Sequence, residues 1–438
     1  MANLKSLLYL AALSAVHATI TPSSLITIST AVDANSQAGW WDPLDEYGGY
    51  AWLAYLRNPP GGSTANHNVM VARRSISDGT ITRDCVKTST GDCAVFVDDL
   101  GHNTPSISVD GDGYVHVFTS MHNEPWRYFR SATPYSSTLV DASSDMPDQT
   151  TLITYPIVKR DATGNLWLIV RGQAANDNNA KGGYLYKYTL DDGTWSRVSI
   201  WAYNKGYSVY PDDIAFSSDG DVHLQWEWSK YPASAVRHQG SYARYRPSTN
   251  IFTSASGATV SVPITQNTPD IVYQPLTTGE TYSGDINASP GPAFQSAKLA
   301  LYERSGGSVH IQHAYRFKTS NTGTWQVRRA TGTYGTQDPW TRDILYQDGE
   351  TTAGIGITHD GTTARIYYCR SSGSAYVLEN AGGAGWTNNA IEPVAGKKVQ
   401  RLQALMRSDG TDVLYLGSPT NVNSTTGSLY LLTVGGRD

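Results

Sequence analysis

The 438-residue chain is long enough to bury one large core or several small ones. Charged residues are only 16 % of it, against 41 Gly, 28 Tyr and 12 Trp, a balance that disfavours a helical cytosolic enzyme and favours turn-rich β structure. The net charge of −5 gives no electrostatic reason to expect nucleic acid or an anionic membrane as a partner.

The chain opens on MANLKSLLYLAALSAVHA, with Lys5, an apolar run from Leu7 to Val16 and small residues before Thr19. This pattern predicts a secretory signal peptide over residues 1–18, with Val16 and Ala18 at the −3 and −1 positions of the cleavage site. Residues 19–438 are then one secreted, extracellular domain. The apolar run is too short to span a membrane. Cys85 and Cys93 flank KTSTGD and are expected to pair in an oxidising compartment, while Cys369 in RIYYCRS is expected to be a buried thiol. No cysteine has metal-ligand spacing. No metal or other cofactor is required, and no motif marks a site for a structural calcium ion. Asn287-Ala-Ser and Asn423-Ser-Thr are glycosylation sequons.

One pattern then recurs along the chain: a short apolar-alternating run, a Gly-containing turn, and a second such run. Its turn glycines are Gly49, Gly113, Gly164, Gly220, Gly307, Gly361 and Gly410, separated by 64, 51, 56, 87, 54 and 49 residues. Repeats near 50 residues, each holding about four short strands, are the signature of β-propeller blades. The chain is therefore expected to be all-β, a seven-bladed β-propeller. The long gap before Gly307 is assigned to an inserted loop around Thr268 to Phe294.

Propeller sites lie where loops of neighbouring blades converge. The second repeat, GHNTPSISVDGDGYVHVFTSMHNEPWRYFR, is read as a strand, a tight turn at Asp110 to Gly113 and a strand ending at His122. The pairs His102-Asn103 and His122-Asn123 should then share one rim. Repeat arithmetic makes His102, Tyr155 and Tyr210 equivalent positions before the first strands of successive blades. It also pairs His122 with Arg171. Trp126 is read as a stacking platform for a sugar ring. His116, His223 and His310 are read as packed core residues, and His67 as part of a Gly/Asn-rich loop.

An Arg beside His and Tyr side chains suits an anionic group, because guanidinium grips carboxylate in a fork and His or Tyr moves protons. The set matches β-elimination at a uronic acid, in which the C5 proton becomes acidic once the carboxylate is neutralised. A glycosidase would need two facing carboxylates, and Asp212 and Asp213 are the nearest acids by sequence.

The segments HNTPSISVDGDGYVHVFTSMHNEPWRYFRS, TYPIVKRDATGNLWLIVRG and YPDDIAFSSDGDVHLQWEW resemble the BNR-type seven-bladed propellers that include the ulvan lyases. Within them they are most similar to the fungal L-rhamnose-α-1,4-D-glucuronate lyases. The resemblance implies a polysaccharide lyase that cleaves rhamnosyl-α-1,4-glucuronate in gum arabic side chains. Its substrate would be an acidic plant polysaccharide or oligosaccharide, acted on by a monomer. It assigns His102, His122, Tyr155 and Arg171 to catalysis and matches Tyr210 to a substrate-contacting Tyr; Asn103, Asn123 and Trp126, read from the rim itself, are the other expected substrate contacts. Which His serves as base and which meets the carboxylate stays open. A rhamnosidase on the same linkage and a non-catalytic sugar-binding propeller are the alternatives.

Overall fold

The computed structural model describes residues 22–33, 39–58, 66–97, 102–174, 177–232, 237–273, 293–304, 306–319, 323–337, 339–349, 351–419 and 427–435. The signal-peptide span, both sequons and residues 274–292 of the expected insertion lie outside them.

Seven antiparallel sheets make a seven-bladed β-propeller. The turn glycines create this repetition. Gly49, Gly113, Gly164, Gly220, Gly307, Gly361 and Gly410 all have φ between 78° and 90°, a region closed to most side chains, and each sits between the first two strands of its blade. The wide spacing before Gly307 falls between blade four, which gains an extra strand Thr259–Val260, and blade five, which begins at Ala293–Glu303. No eighth sheet is present among the described residues.

Apolar faces that one sheet cannot bury alone close against the next blade. Trp167 and Trp201 of blade three pack with Trp226 and Trp228 of blade four in one cluster, and the Trp201 and Trp226 rings lie 6.2 Å apart. Val69 and Val71 of blade one meet Ile107 and Val117 of blade two in the same manner. His67 belongs to strand Asn66–Ser75 and is buried, so the loop expected there is a strand.

The ring closes through Ile26–Ser29, which pairs antiparallel with Gly427–Val434 and supplies the fourth strand of blade seven. Arg407 of blade seven then grips Glu46 of blade one with two bonds of 2.6 and 2.7 Å. Near the axis, Lys159 of blade three pairs with Asp213 of blade four and with Asp42 before blade one, and Gln403 of blade seven donates to Asp42 at 2.6 Å. Cys85 and Cys93 are disulfide-bonded, and Cys369 is a buried thiol.

Candidate active site

The strand Val115–Phe118 does not run on to His122. It stops at Thr119, and the chain turns through Ser120 and Asn123, both at positive φ (54° and 59°). His122–Glu124 then joins the sheet of blade three, with His122 opposite Thr154. The carbonyl of Asn103 fixes this crossing by accepting from Ser120 N at 3.1 Å and Thr119 Oγ1 at 3.2 Å. The crossing brings the imidazoles of His102 and His122 face to face, with centroids 3.8 Å apart and planes at 10°. The expected meeting of the two histidines is therefore present, reached by a change of sheet rather than by a simple hairpin.

Tyr155 comes next, its ring 5.8 Å from His102. It lies inside the strand Thr151–Arg160, not ahead of it, at a bulge between Thr154 and Ile157. Its φ of 54° is costly for a bulky side chain and is the kind of strain that recurs at functional sites. Tyr210 is also inside a bulged strand, Tyr207–Phe216, with its ring 5.3 Å from that of Tyr155. The Arg171 guanidinium sits 4.6 Å over Tyr155 and 5.0 Å over Tyr210. Arg171 is almost fully buried, yet its Nε finds no hydrogen-bond partner and no carboxylate lies within ion-pair distance among the described residues. A buried cation without its counter-ion is costly, so this guanidinium is ready for an anion from outside.

Five further residues complete the cluster. Trp40 and Trp41, from the segment between the ring-closing strand and blade one, pack on Tyr155 at 5.8 and 5.4 Å. Arg237 of blade four stacks 4.4 Å over Trp40 and 4.6 Å over Tyr210. The buried Glu227, opposite Tyr210 in the sheet, holds both: Trp40 Nε1 and Arg237 Nε each lie 3.3 Å from its Oε1. Lys181 donates to Asn123 Oδ1 at 2.6 Å.

Burial dominates the electrostatics. It pushes the Tyr155 phenol up to about 12 in spite of Arg171, so Tyr155 is a protonated donor at neutral pH. It lifts the Glu227 carboxyl to about 7, against the pull of Arg237. Burial, with Arg171 beside it, brings Lys181 down to about 8.

Several sequence expectations need correction. Trp126 is not a platform: it is buried against Phe118 and Tyr186, and its indole donates to the Pro147 carbonyl at 2.8 Å. Asn103 is fully buried, and its backbone carbonyl fixes the crossing. Arg171 and His122 are not equivalent. Arg171 follows its turn glycine by seven residues and His122 by nine, and the blade-four counterpart of Arg171 is Glu227. That count would have exposed Glu227 in the sequence, whereas Trp40, Trp41, Arg237 and Lys181 carried no spacing signal. Asp212 and Asp213 are turned to blade five, accepting from Ala297 N and Leu299 N, so the acid beside the tyrosines is Glu227. His116 and His223 are core residues bonded to Tyr128 and Tyr242, and His310 is half-buried against Tyr302. Among the described residues, no three His, Cys, Asp or Glu side chains converge as a metal-binding set.

Residues 45–333 match the model of the BNR repeat-containing family. No curated protein matches the chain. Among solved structures, the polysaccharide lyase Uly1 superposes with a TM-score of 0.67 at 15 % identity, over 95 % of this chain and 100 % of that one. A PL25 ulvan lyase gives 0.64 at 13 % identity, over 93 % and 95 % of the two chains. The same kind of enzyme bound to -[GlcA(1-4)Rha3S]- gives 0.64 at 14 %, with the same coverage. At these identities the likeness is one of fold.

Proposed function

This chain belongs to the BNR repeat-containing family, and we propose that it is a polysaccharide lyase that breaks a 4-linked glucuronate by β-elimination. One observation carries the reading: two stacked imidazoles and a protonated tyrosine lie beside a buried arginine that has no counter-ion among the described residues. Uly1 and the PL25 ulvan lyase, described as polysaccharide lyases, share the fold and support the class.

In this scheme the substrate carboxylate docks on Arg171, which spreads the negative charge that develops when C5 loses its proton. A neutral imidazole of the His102–His122 pair takes that proton. The C4–O bond then breaks, its electrons leaving with the departing oxygen, and Tyr155 supplies the proton that makes a new hydroxyl. The C5–H electrons become the C4=C5 double bond. The imidazolium returns its proton to the tyrosinate, which resets the site without a cofactor. In glucuronate the C5 hydrogen and O4 share one side of the ring, so base and acid work from the same wall. His102, His122 and Tyr155 stand together in that way.

The leaving sugar we propose is L-rhamnose, α-1,4-linked to glucuronate in an arabinogalactan such as gum arabic, processed outside the cell. This finer reading rests on the motif resemblance. A hydrolase on the same linkage that worked by the usual two-carboxylate mechanism would need both acids facing the sugar. Glu227 is held by Trp40 and Arg237, and Asp212 is turned to blade five, so that constellation is a poorer fit.

Rhamnosyl-α-1,4-glucuronate incubated with the protein should release rhamnose in step with ultraviolet absorbance, because the 4,5-double bond is conjugated with the carboxylate. Rhamnose release without absorbance would overturn elimination.

A further inference from the structure

We propose that Lys181 is a second cation of the site, which shares the substrate's carboxylate with Arg171 and is aimed at it by Asn123. This inference rests on the uronate reading above.

The argument starts from backbone. Arg171 pairs with Gly183 in the blade-three sheet, and Lys181 lies two residues before Gly183. Strand periodicity therefore puts the Arg171 and Lys181 side chains on the same face. The position of Lys181 is rigid. Its N–H donates to the Tyr207 carbonyl at 3.1 Å and its carbonyl accepts from Val209 N at 2.9 Å, which stitches it to the inner strand of blade four. Asn123 is equally fixed, with its N–H on Thr154 Oγ1 at 2.9 Å.

Lys181 has charge to offer. An ammonium carries three donors, and the one protein acceptor it meets among the described residues is Asn123 Oδ1 at 2.6 Å. No acidic side chain lies within ion-pair distance of it among the described residues. The nearby Asp177 is already engaged, accepting from Tyr203 Oη at 2.6 Å and Asn179 N at 2.8 Å. The other charged or titratable groups facing Lys181 among the described residues are Arg171 and the Tyr231 ring at 6.0 Å. Two neighbouring cations with no carboxylate in ion-pair distance of either among the described residues disfavour each other, and a bound carboxylate relieves both. Burial first, and Arg171 beside it second, lower the pKa of Lys181 to about 8. An amide acceptor rather than a carboxylate at Asn123 orients the ammonium without neutralising it.

The test is calorimetric binding of rhamnosyl-α-1,4-glucuronate and of its uncharged methyl ester to wild type, Lys181→Met and Lys181→Arg. Wild type should prefer the acid. Lys181→Met should weaken acid binding by roughly tenfold to a hundredfold while leaving the ester nearly unchanged, as expected for one hydrogen bond to a charged group. Lys181→Arg should restore the preference and keep it above pH 8, where the wild-type preference fades as Lys181 loses its proton. Equal losses on acid and ester would make Lys181 a brace for Asn123 and overturn the proposal, as would no loss on either. The ultraviolet assay separates the two readings: binding preference lost in Lys181→Met without turnover in wild type would sink elimination and keep the cation pair.

Discussion

His102 and His122 stack ring on ring at 3.8 Å, although one precedes the inner strand of blade two and the other belongs to the sheet of blade three. The contact is thus an interblade contact, made possible by the sheet change at Thr119 to Asn123. It also explains why Tyr155, which neighbours Thr154, arrives at the same place. His122→Ala and Tyr155→Phe should each lower turnover by about 10²- to 10⁴-fold, the usual worth of a positioned acid or base, while calorimetry still detects sugar binding. Unchanged turnover in both would move the site elsewhere.

Arg171 is not exchangeable for lysine. Its planar guanidinium covers both Tyr155 and Tyr210, a contact that a compact ammonium cannot make. Arg171→Lys should therefore lower kcat/KM at least about tenfold with charge retained. Steady-state kinetics of a variant with wild-type activity would refute the stacked-fork role.

Trp126 affects stability rather than binding. Removing its buried ring in Trp126→Ala should cost about 3–5 kcal/mol in denaturant unfolding, with sugar affinity unchanged in the folded fraction. A stable variant with weakened affinity would restore Trp126 to the site.

Glu227 should make the fold pH-sensitive. Its carboxyl is raised from the ordinary 4.5 to about 7, so between those values the folded state holds a proton that the unfolded state has released. Stability must then fall as pH rises through that window. Thermal melts from pH 4.5 to 7.5 should show this slope flattened in Glu227→Gln relative to wild type. Parallel curves would mean that Glu227 does not change charge there.

The fold was legible because one device, a glycine at positive φ between two apolar runs, is repeated in all seven blades. The histidines, Tyr155, Arg171 and Tyr210 were legible because they lie at countable offsets from those turns. What was missed came from elsewhere. Trp40 lies in a linking segment with no period, and it reaches Glu227 across 187 residues. Trp126 misled because aromatic identity says nothing about which way a ring faces. The two-residue error over His122 arose because a sheet change cannot be seen in a one-dimensional count.

Ring closure has a kinetic consequence. Ile26–Ser29 finds its partner strand only at Gly427–Val434, and the segment that follows it lays Trp40 and Trp41 beneath Tyr155. The floor of the site is therefore tethered to the clasp of the ring. A nascent chain lacking its last strand keeps only the hold of Glu227 and Arg237 on Trp40 to anchor that floor. Turnover should appear late in refolding, after most β structure has formed, so the proposed activity waits on completion of the circle.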